Sequence, residues 1–210
     1  KPDYAEVHNN LGVTLQELGQ LDTAVKSYEN AIAIKPDYAE AHNNLGNTLK
    51  ELGQLNAAIE TYEKALAIKP NFADVYYNLG GTFKDLGQLD TSIKSFEKAL
   101  ANNPGYAEAY QNHGNALLGL KRMDEALASF ERALVLKPDI NFLLGHSLHT
   151  KMHLCIWDNL PNELNELTKK INNNEIVIEP FSMLALTDDP EIQRKTAEIF
   201  ANEKYPKNHD

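Results

Sequence analysis

Four asparagines recur along the chain at a constant interval of 34 residues: Asn10, Asn44, Asn78 and Asn112. A primary amide carries N–H donors and a carbonyl acceptor, so each asparagine can pair with both the C=O and the N–H of an extended peptide. Such a column would contact the backbone of a ligand and not its side chains. The pattern therefore predicts a peptide-binding site that tolerates many ligand sequences.

The same interval governs the sequence around these asparagines. Residues 1–34 and 35–68 are identical at 24 of 34 positions, and looser copies run over 69–102 and 103–136. A repeat of this length is typical of a solenoid, in which each unit packs only on its neighbours. We therefore expect four repeats within residues 1–138, marked by equally spaced prolines: Pro2, Pro36, Pro70, Pro104 and Pro138.

Each repeat is predicted to form two helices, which we call helix A and helix B. In the second repeat Asp37, with Glu40 three residues later, is expected to cap helix A, and Gly53 is suited to the left-handed position that ends it. Helix B is expected to begin at an Asp or Asn cap and to stop before the next proline, because the residue preceding a proline avoids helical geometry. The other predicted caps are Asp3 and Asn71 for helix A, and Asp22, Asn56, Asp90 and Asp124 for helix B.

Apolar spacing assigns the buried face of each helix. In the second repeat these positions are Leu45, Gly46, Leu49 and Leu52 on helix A, and Ala58, Ile59, Tyr62, Ala65 and Leu66 on helix B. The pattern resembles the tetratricopeptide consensus over residues 1–138, although His8 and His42 replace its early tryptophan and Ser92 replaces its helix-B alanine. The resemblance implies an all-α, right-handed superhelical solenoid of tetratricopeptide helix-turn-helix repeats with a helical C-terminal cap.

The resemblance also implies that the remaining face of helix A lines a concave groove. Neighbouring helices pack about 10 Å apart and an extended chain rises about 3.3 Å per residue, so one asparagine would contact about every third ligand residue. The predicted peptide-binding residues are the asparagines of this face and its margins: Asn9, Asn10, Asn43, Asn44, Asn47, Asn78, Asn112 and Asn115.

An alternative is that near-identical repeats share an exposed asparagine through recent duplication. Asparagine is a mediocre residue for a helix interior, which favours a binding role. The neighbouring column, which holds Val13, Asn47, Gly81 and Asn115, varies freely and favours it as well. On the binding hypothesis we expect Asn44→Ala combined with Asn78→Ala to weaken peptide binding with little change in thermal stability.

A second groove chemistry is the carboxylate clamp of tetratricopeptide co-chaperones, in which cations hold the C-terminus of a peptide. Here only Lys50 and Lys84 favour such a clamp. The early groove positions are acidic and are expected to repel a carboxylate: Glu6, Glu40, Asp74 and Glu108. The clamp is therefore the weaker hypothesis.

Charge and composition exclude several classes of function. The chain carries a net charge of −10 with a pI near 5.2, which disfavours contact with nucleic-acid phosphates. No apolar run approaches the roughly 18 residues that a membrane-spanning helix needs, and no signal segment is recognisable at the start. The single cysteine, Cys155, cannot form an internal disulfide, which favours a reducing, cytoplasmic setting.

Three histidines and the cysteine raise the alternative of a zinc site. His146, His149 and His153 would share one face of a helix, and histidine and thiolate are zinc ligands. Cys155 would lie on the opposite side of that helix, and no second pair of cysteines exists. We therefore expect these side chains to pack in the terminal repeat, and we predict no metal and no cofactor for this part of the protein.

The repeat pattern fails after Pro138. Residues 139–175 are predicted to form a degenerate capping repeat, with helices over 141–154 and 159–171 and with Trp157 as a core anchor. Residues 176–186 are predicted to be an extended linker. The last helix is expected to begin at Asp188 or Asp189 with Pro190 in its first turn, and to end near Lys204.

Two tail segments resemble the connector of bacterial relatives of the O-linked N-acetylglucosamine transferases, glycosyltransferase family 41. They are LLGHSLHTKMHLCIWDNL (143–160) and PFSMLALTDDPEIQRKTAEIFANEKYP (180–206), with Cys155-Ile156-Trp157 where the family has Cys-Asp-Trp. The resemblance implies that 176–210 leads to a two-lobed catalytic domain that is absent here. It also implies that Asn10, Asn44, Asn78 and Asn112 match an asparagine ladder for protein substrates.

These observations predict a non-catalytic module that binds extended peptide segments and recruits substrates for a nucleotide-sugar-dependent protein glycosyltransferase. Protein or peptide ligands are the expected partners, with no nucleic acid and no membrane. One alternative is a scaffold that associates with itself through the ends of the array and has no peptide groove. Another is the recruiting arm of a different enzyme, such as a methyltransferase or a sulfotransferase.

Overall fold

The computed structural model describes residues 4–205, which form twelve helices and no β-strand. Pro2, the predicted cap Asp3 and Pro206 lie outside the described residues. The chain divides into two compact units, Lys1–Pro104 (unit 1) and Gly105–Asp210 (unit 2), and each is described by itself.

Unit 1 contains three consecutive helix pairs that correspond to helices A and B of the first three repeats. Neighbouring helices along the chain pack against each other within and between pairs. The helices are α1 (Tyr4–Glu17), α2 (Leu21–Ile34), α3 (Ala39–Glu51), α4 (Leu55–Ile68), α5 (Ala73–Asp85) and α6 (Leu89–Asn102).

The predicted core of the second repeat is confirmed at its central positions. Leu45, Leu49, Ala58, Tyr62 and Ala65 are buried, while the flanking Leu52, Ile59 and Leu66 are partly buried. The glycine of helix A is required by the aromatic residue of helix B. A Cβ atom at Gly46 would lie 2.5 Å from the ring of Tyr62, which is a steric clash.

Turns between helices A and B form as predicted, but the caps of helix B do not. Gly53 has φ 75°, and Gln54 N–H donates to the carbonyl of Leu49, which closes the end of helix A. The turn is so short that Gln54 is itself the N-cap, and α4 begins at Leu55. The predicted caps were therefore wrong, because each is the second residue of its helix: Asp22, Asn56, Asp90 and Asp124. At that position the three aspartates still stabilise the helix through its dipole, whereas the neutral Asn56 does not.

Predicted caps of helix A are shifted in the same way. Tyr38 and Phe72 occupy the N-cap positions of α3 and α5, and neither makes a side-chain capping bond. Asp37 and Asn71 thus lie one residue before the cap, and both predictions were wrong. The tertiary packing of the apolar faces determines where these helices begin, because Ala39 must be buried.

Unit 2 begins with the fourth helix pair, α7 (Ala107–Gly119) and α8 (Met123–Leu136). A fifth pair follows, α9 (Leu143–His153) and α10 (Leu160–Asn172), within two residues of the predicted bounds. The segment after α10 was predicted to be extended, but part of it folds into the one-turn helix α11 (Pro180–Met183). The residues between α10 and α11 are non-helical, and Val177 and Ile178 among them are buried. The N–H of Gly145 in α9 donates to the carbonyl of Val177 at 2.9 Å.

The last helix, α12 (Pro190–Lys204), begins and ends as predicted. The Asp189 carboxylate accepts from the N–H groups of Glu191 at 2.9 Å and Ile192 at 3.4 Å. Trp157, in contrast, is not a core anchor. It lies in the turn between α9 and α10 and is 51% exposed. The core is instead aliphatic: Leu144, Leu148, Leu167, Ile171, Val177, Ile178, Met183 and Ile192.

Candidate functional site

The predicted asparagine column lies on helix A, and in unit 1 Asn44 and Asn78 each donate a hydrogen bond to the asparagine that precedes the column member of the previous repeat. Asn44 Nδ2 donates to Asn9 Oδ1 at 3.0 Å, and Asn78 Nδ2 donates to Asn43 Oδ1 at the same distance. Asn9 is only 7% exposed, so its carbonyl depends on this bond. Each bond uses one of the two N–H donors of Asn44 or Asn78 and fixes the orientation of the amide.

Other predicted site residues have different surroundings. Asn10 is exposed on α1, and Asn112 and Asn115 are half-buried on α7 in unit 2. Asn47 accepts a hydrogen bond from the hydroxyl of the buried Tyr62 at 2.7 Å. The Asn47 side chain therefore has a structural role, because it orients the buried Tyr62.

Sequence reasoning missed Gln16, which joins three partners at the groove face of unit 1. Its Oε1 accepts from Tyr28 Oη and from Thr48 Oγ1, both at 3.1 Å. Its Nε2 donates to Glu51 Oε1 at 2.5 Å. Burial, together with the carboxylates of Glu51 and Glu17, raises the pKa of Tyr28 to about 12, so this hydroxyl stays a donor at neutral pH. The available signal was the offset of 35 residues from Gln16 to Glu51, which Asn9 and Asn44 share.

Two of the acidic residues that argued against a carboxylate clamp, Glu40 and Glu108, form ion pairs with lysines. Lys69 Nζ lies 3.1 Å from Glu40, and Lys137 Nζ lies 2.9 Å from Glu108. The hydrogen bond from Lys137 holds the pKa of the Glu108 carboxyl below its usual value. These ion pairs weaken the repulsion argument at Glu40 and Glu108.

The structure supplies another reason to disfavour the clamp. Lys50 Nζ is paired with Asp85 at 3.1 Å, so a ligand carboxylate would have to compete with that aspartate. The Lys50 side chain contacts α5 beside Gly81, and a Cβ atom added at Gly81 would lie 3.0 Å from Lys50 Nζ.

The three histidines considered for a zinc site contact other aromatic or imidazole rings, and His149 packs edge-on against His153. His146 lies between the rings of Phe130 and Phe142, at centroid distances of 5.6 and 6.5 Å. Burial lowers its pKa. Cys155 is exposed, and within residues 4–205 no group of three or more His, Cys, Asp or Glu side chains could hold a metal ion.

Two cavities lie along the groove face of unit 1, and both include residues of α1 and α3. One has a volume of about 380 Å³ and is lined in part by Asn44. The other, about 330 Å³, is lined by Gln16, Asn47, Lys50 and Glu51. The groove face thus offers hydrogen-bonding groups beside space for ligand side chains.

No helix within residues 4–205 has the length and apolar character needed to span a membrane.

Comparison with solved structures shows the fold in other proteins. PilF from Pseudomonas aeruginosa aligns with a TM-score of 0.78 at 19% identity, over 97% of this chain and 93% of that chain. MamA from Desulfovibrio magneticus RS-1 gives 0.70 at 18% identity, over 80% and 94%. YrrB, described as a TPR protein with an unusual peptide-binding site, gives 0.62 at 19% identity, over 91% and 90%.

Family models match the repeats directly, whereas no curated protein sequence matches the chain. A TPR repeat model matches residues 15–53 and 46–87, and a tetratricopeptide repeat model matches residues 77–139. Together these matches cover more than half of the 210 residues. The chain belongs to the tetratricopeptide repeat family.

Proposed function

We propose that this protein binds extended segments of partner proteins on the helix A face, with the asparagine column contacting the ligand backbone. The observation that carries the proposal is the pair of bonds from Asn44 to Asn9 and from Asn78 to Asn43. These bonds hold two amides in the same orientation in successive repeats. The peptide-binding site of the similarly folded YrrB is consistent with this use of the fold.

Fixed amides favour binding for an energetic reason. Immobilising a flexible side chain on association costs about 0.5–1.5 kcal/mol. Asn44 and Asn78 are already oriented by their inter-repeat bonds in the folded chain. Most of this entropy loss therefore occurs during folding and does not weaken ligand binding. The remaining N–H and the carbonyl of each amide can then pair with a peptide group.

The test is a titration of the whole chain with a capped, unstructured peptide of alanine, glycine and serine, followed through the side-chain amide NMR signals. We expect the signals of Asn44 and Asn78 to shift, and the double variant Asn44→Ala, Asn78→Ala to bind more weakly. The structure changes one expectation, because Asn44→Ala leaves the Asn9 carbonyl without its partner. Each substitution should therefore also reduce stability, by about 1–3 kcal/mol.

Asn30→Ala combined with Asn56→Ala is the matched control, since both asparagines are exposed on helix B. Circular dichroism would establish that each variant is folded at the temperature of the titration. Equal affinity of a folded groove variant and the unchanged chain would contradict the proposal.

We further propose that this binding recruits protein substrates for a nucleotide-sugar glycosyltransferase in the cytoplasm. The support is the resemblance of residues 143–160 and 180–206 to the connector of glycosyltransferase family 41, together with the single cysteine. Reading the parent gene beyond the codon for Asp210 tests it. Strand–helix units with glycine-rich turns would support the proposal, and further helical repeats or a stop codon would contradict it.

A further inference from the structure

The cavity beside Asn44 has a lining that discriminates between ligand side chains. It measures about 380 Å³ and is lined by Val13, Gln16, Glu17, Tyr28, Asn44 and Glu51. Asn44 belongs both to this cavity and to the asparagine column. A ligand whose backbone lies on Asn44 would therefore place a side chain at this cavity.

Most of the donors in the lining are already committed. Tyr28 donates its hydroxyl proton to Gln16, and Gln16 donates through Nε2 to Glu51 Oε1. Asn44 uses one N–H on Asn9. The groups that remain for a ligand are mainly acceptors: the second oxygen of Glu51 and both oxygens of Glu17. An ionised carboxylate only accepts hydrogen bonds, so this lining suits a donor-rich ligand group.

The two carboxylates also lack a cation. Within residues 4–205 neither Glu17 nor Glu51 forms an ion pair. Lys50, which follows Asn44 on the same helix, is held by Asp85 instead. The fields of both glutamates reach the Tyr28 hydroxyl at the wall of the cavity and contribute to its raised pKa.

The next cleft in unit 1 differs in this respect. Glu51 and Asp85 occupy the equivalent acidic positions of α3 and α5, but the Lys50 amine lies between these helices and pairs with Asp85. The small Gly81 makes room for that lysine, because a Cβ atom there would approach Nζ. In the cleft between α1 and α3 the equivalent of Lys50 is the neutral Gln16, so within the described residues no cation pairs with Glu17 or Glu51. Lys50 lines the adjoining cavity but is paired with Asp85.

We propose that this cavity is a side-chain subsite for a basic residue, arginine in preference to lysine, of the bound peptide. A guanidinium carries five N–H donors in a planar arrangement that matches carboxylate oxygens, whereas an ammonium is a point charge. The methylene groups of the arginine side chain would pack on Val13. This inference rests on the proposed peptide binding and adds a sequence preference that the asparagine column alone does not provide.

The experiment compares two probes that differ in one residue: acetyl-Ala-Gly-Ser-Arg-Ser-Gly-Ala-amide and the same peptide with citrulline in place of arginine. Citrulline keeps the shape of arginine and removes its charge. We expect the arginine probe to bind the whole chain about tenfold more tightly at low ionic strength, since two exposed charge pairs at the upper end of their usual range together give about that factor. Added salt should reduce the preference, because exposed pairs are screened.

Glu17→Gln should reduce the arginine preference to about threefold, since it removes one of the two charges. Glu63→Gln is the matched control, because Glu63 is exposed on α4 and does not line the cavity. Equal affinities of the two probes for the unchanged chain, or an unchanged preference in Glu17→Gln, would overturn the subsite. Binding of the citrulline probe in that case would leave the asparagine column intact, whereas binding of neither probe would overturn both proposals.

Discussion

In unit 1 the groove faces of successive repeats are joined by polar side-chain pairs at an offset of 35 residues, whereas unit 2 is closed by an aliphatic cluster. The pairs of unit 1 are Asn9–Asn44, Gln16–Glu51, Asn43–Asn78 and Lys50–Asp85. In unit 2 the extended segment around Val177 and Ile178 lies against α9 and α10. Regular repeats therefore keep polar pairs at a constant offset, whereas the irregular unit uses its side chains to bury apolar area.

The largest effect should come from the aliphatic cluster of unit 2. Leu167 is fully buried there, so Leu167→Ala should destabilise the protein by about 2–5 kcal/mol through lost burial and a cavity. Urea unfolding measures the loss. The matched control is Leu184→Ala in the same unit, since Leu184 is 56% exposed and its truncation should change stability by less than about 0.5 kcal/mol. Equal losses in the two variants would show that the cluster does not hold the unit together.

An intermediate effect is expected at Lys151, the main charged contact of unit 2. Its amine lies 2.7 Å from Oε1 of Glu163 and 3.4 Å from Glu131, and the other oxygen of Glu163, Oε2, is buried and accepts no hydrogen bond. Lys151→Met should cost about 1–3 kcal/mol, because it leaves that carboxylate unpaired. Glu163→Gln in the same background should recover part of the loss, and no recovery would contradict this account.

The pH dependence of the same variant sharpens the prediction. Burial opposes the charge on Lys151, but the bond and ion pair with Glu163 more than offset it, so the pKa of Lys151 is raised. A raised folded-state pKa means that the stabilisation is complete below the unfolded-state value of about 10.4 and is lost as the pH rises through the folded-state value. The stability difference between Lys151→Met and the unchanged chain should therefore be constant at neutral pH and shrink in alkali. A stability difference that increased at alkaline pH would contradict the raised pKa of Lys151.

The smallest effect concerns the polar pairs of unit 1. A double-mutant cycle with Asn9→Ala and Asn44→Ala should give a coupling energy of about 0.5–1.5 kcal/mol, the usual net contribution of one hydrogen bond. Chemical unfolding of the four proteins in the cycle measures it. A coupling energy near zero would mean that the pair is not formed in solution, and the contrast between the units would then be weaker than described.

Much of the fold could be predicted because the repeat makes each local signal appear several times. The interval of 34 residues, the glycine before helix B and the buried face around Tyr62 are all properties of one repeat. The cap at Asp189 was also predictable, since Asp followed by Pro is a strong local signal for the start of a helix.

Predictions failed where neighbouring structure overrides local preference. Asn56 has the chemistry of a cap, but the tight turn at Gly53 makes Gln54 the cap instead. Trp157 is apolar enough for a core, yet it falls in a turn next to Cys155, whose φ is 56°. The bonds of Gln16 to Tyr28 and Thr48 were missed because they depend on how neighbouring helices are rotated against each other, and only the Gln16–Glu51 pair shares the offset of 35 residues with another polar pair.

The contact between a glycine of helix A and an aromatic ring of helix B lies wholly inside one repeat, and the ring residue is 16 positions after the glycine in all four copies. Nothing in that contact depends on how many copies the chain contains. Whole repeats can therefore be added or removed without disturbing the packing inside the others, whereas a shift of one residue would place a side chain against the ring. If each copy adds one amide to the column, every added repeat lengthens the recognised segment by about three residues. The length of the preferred ligand is then set by the copy number of the repeat.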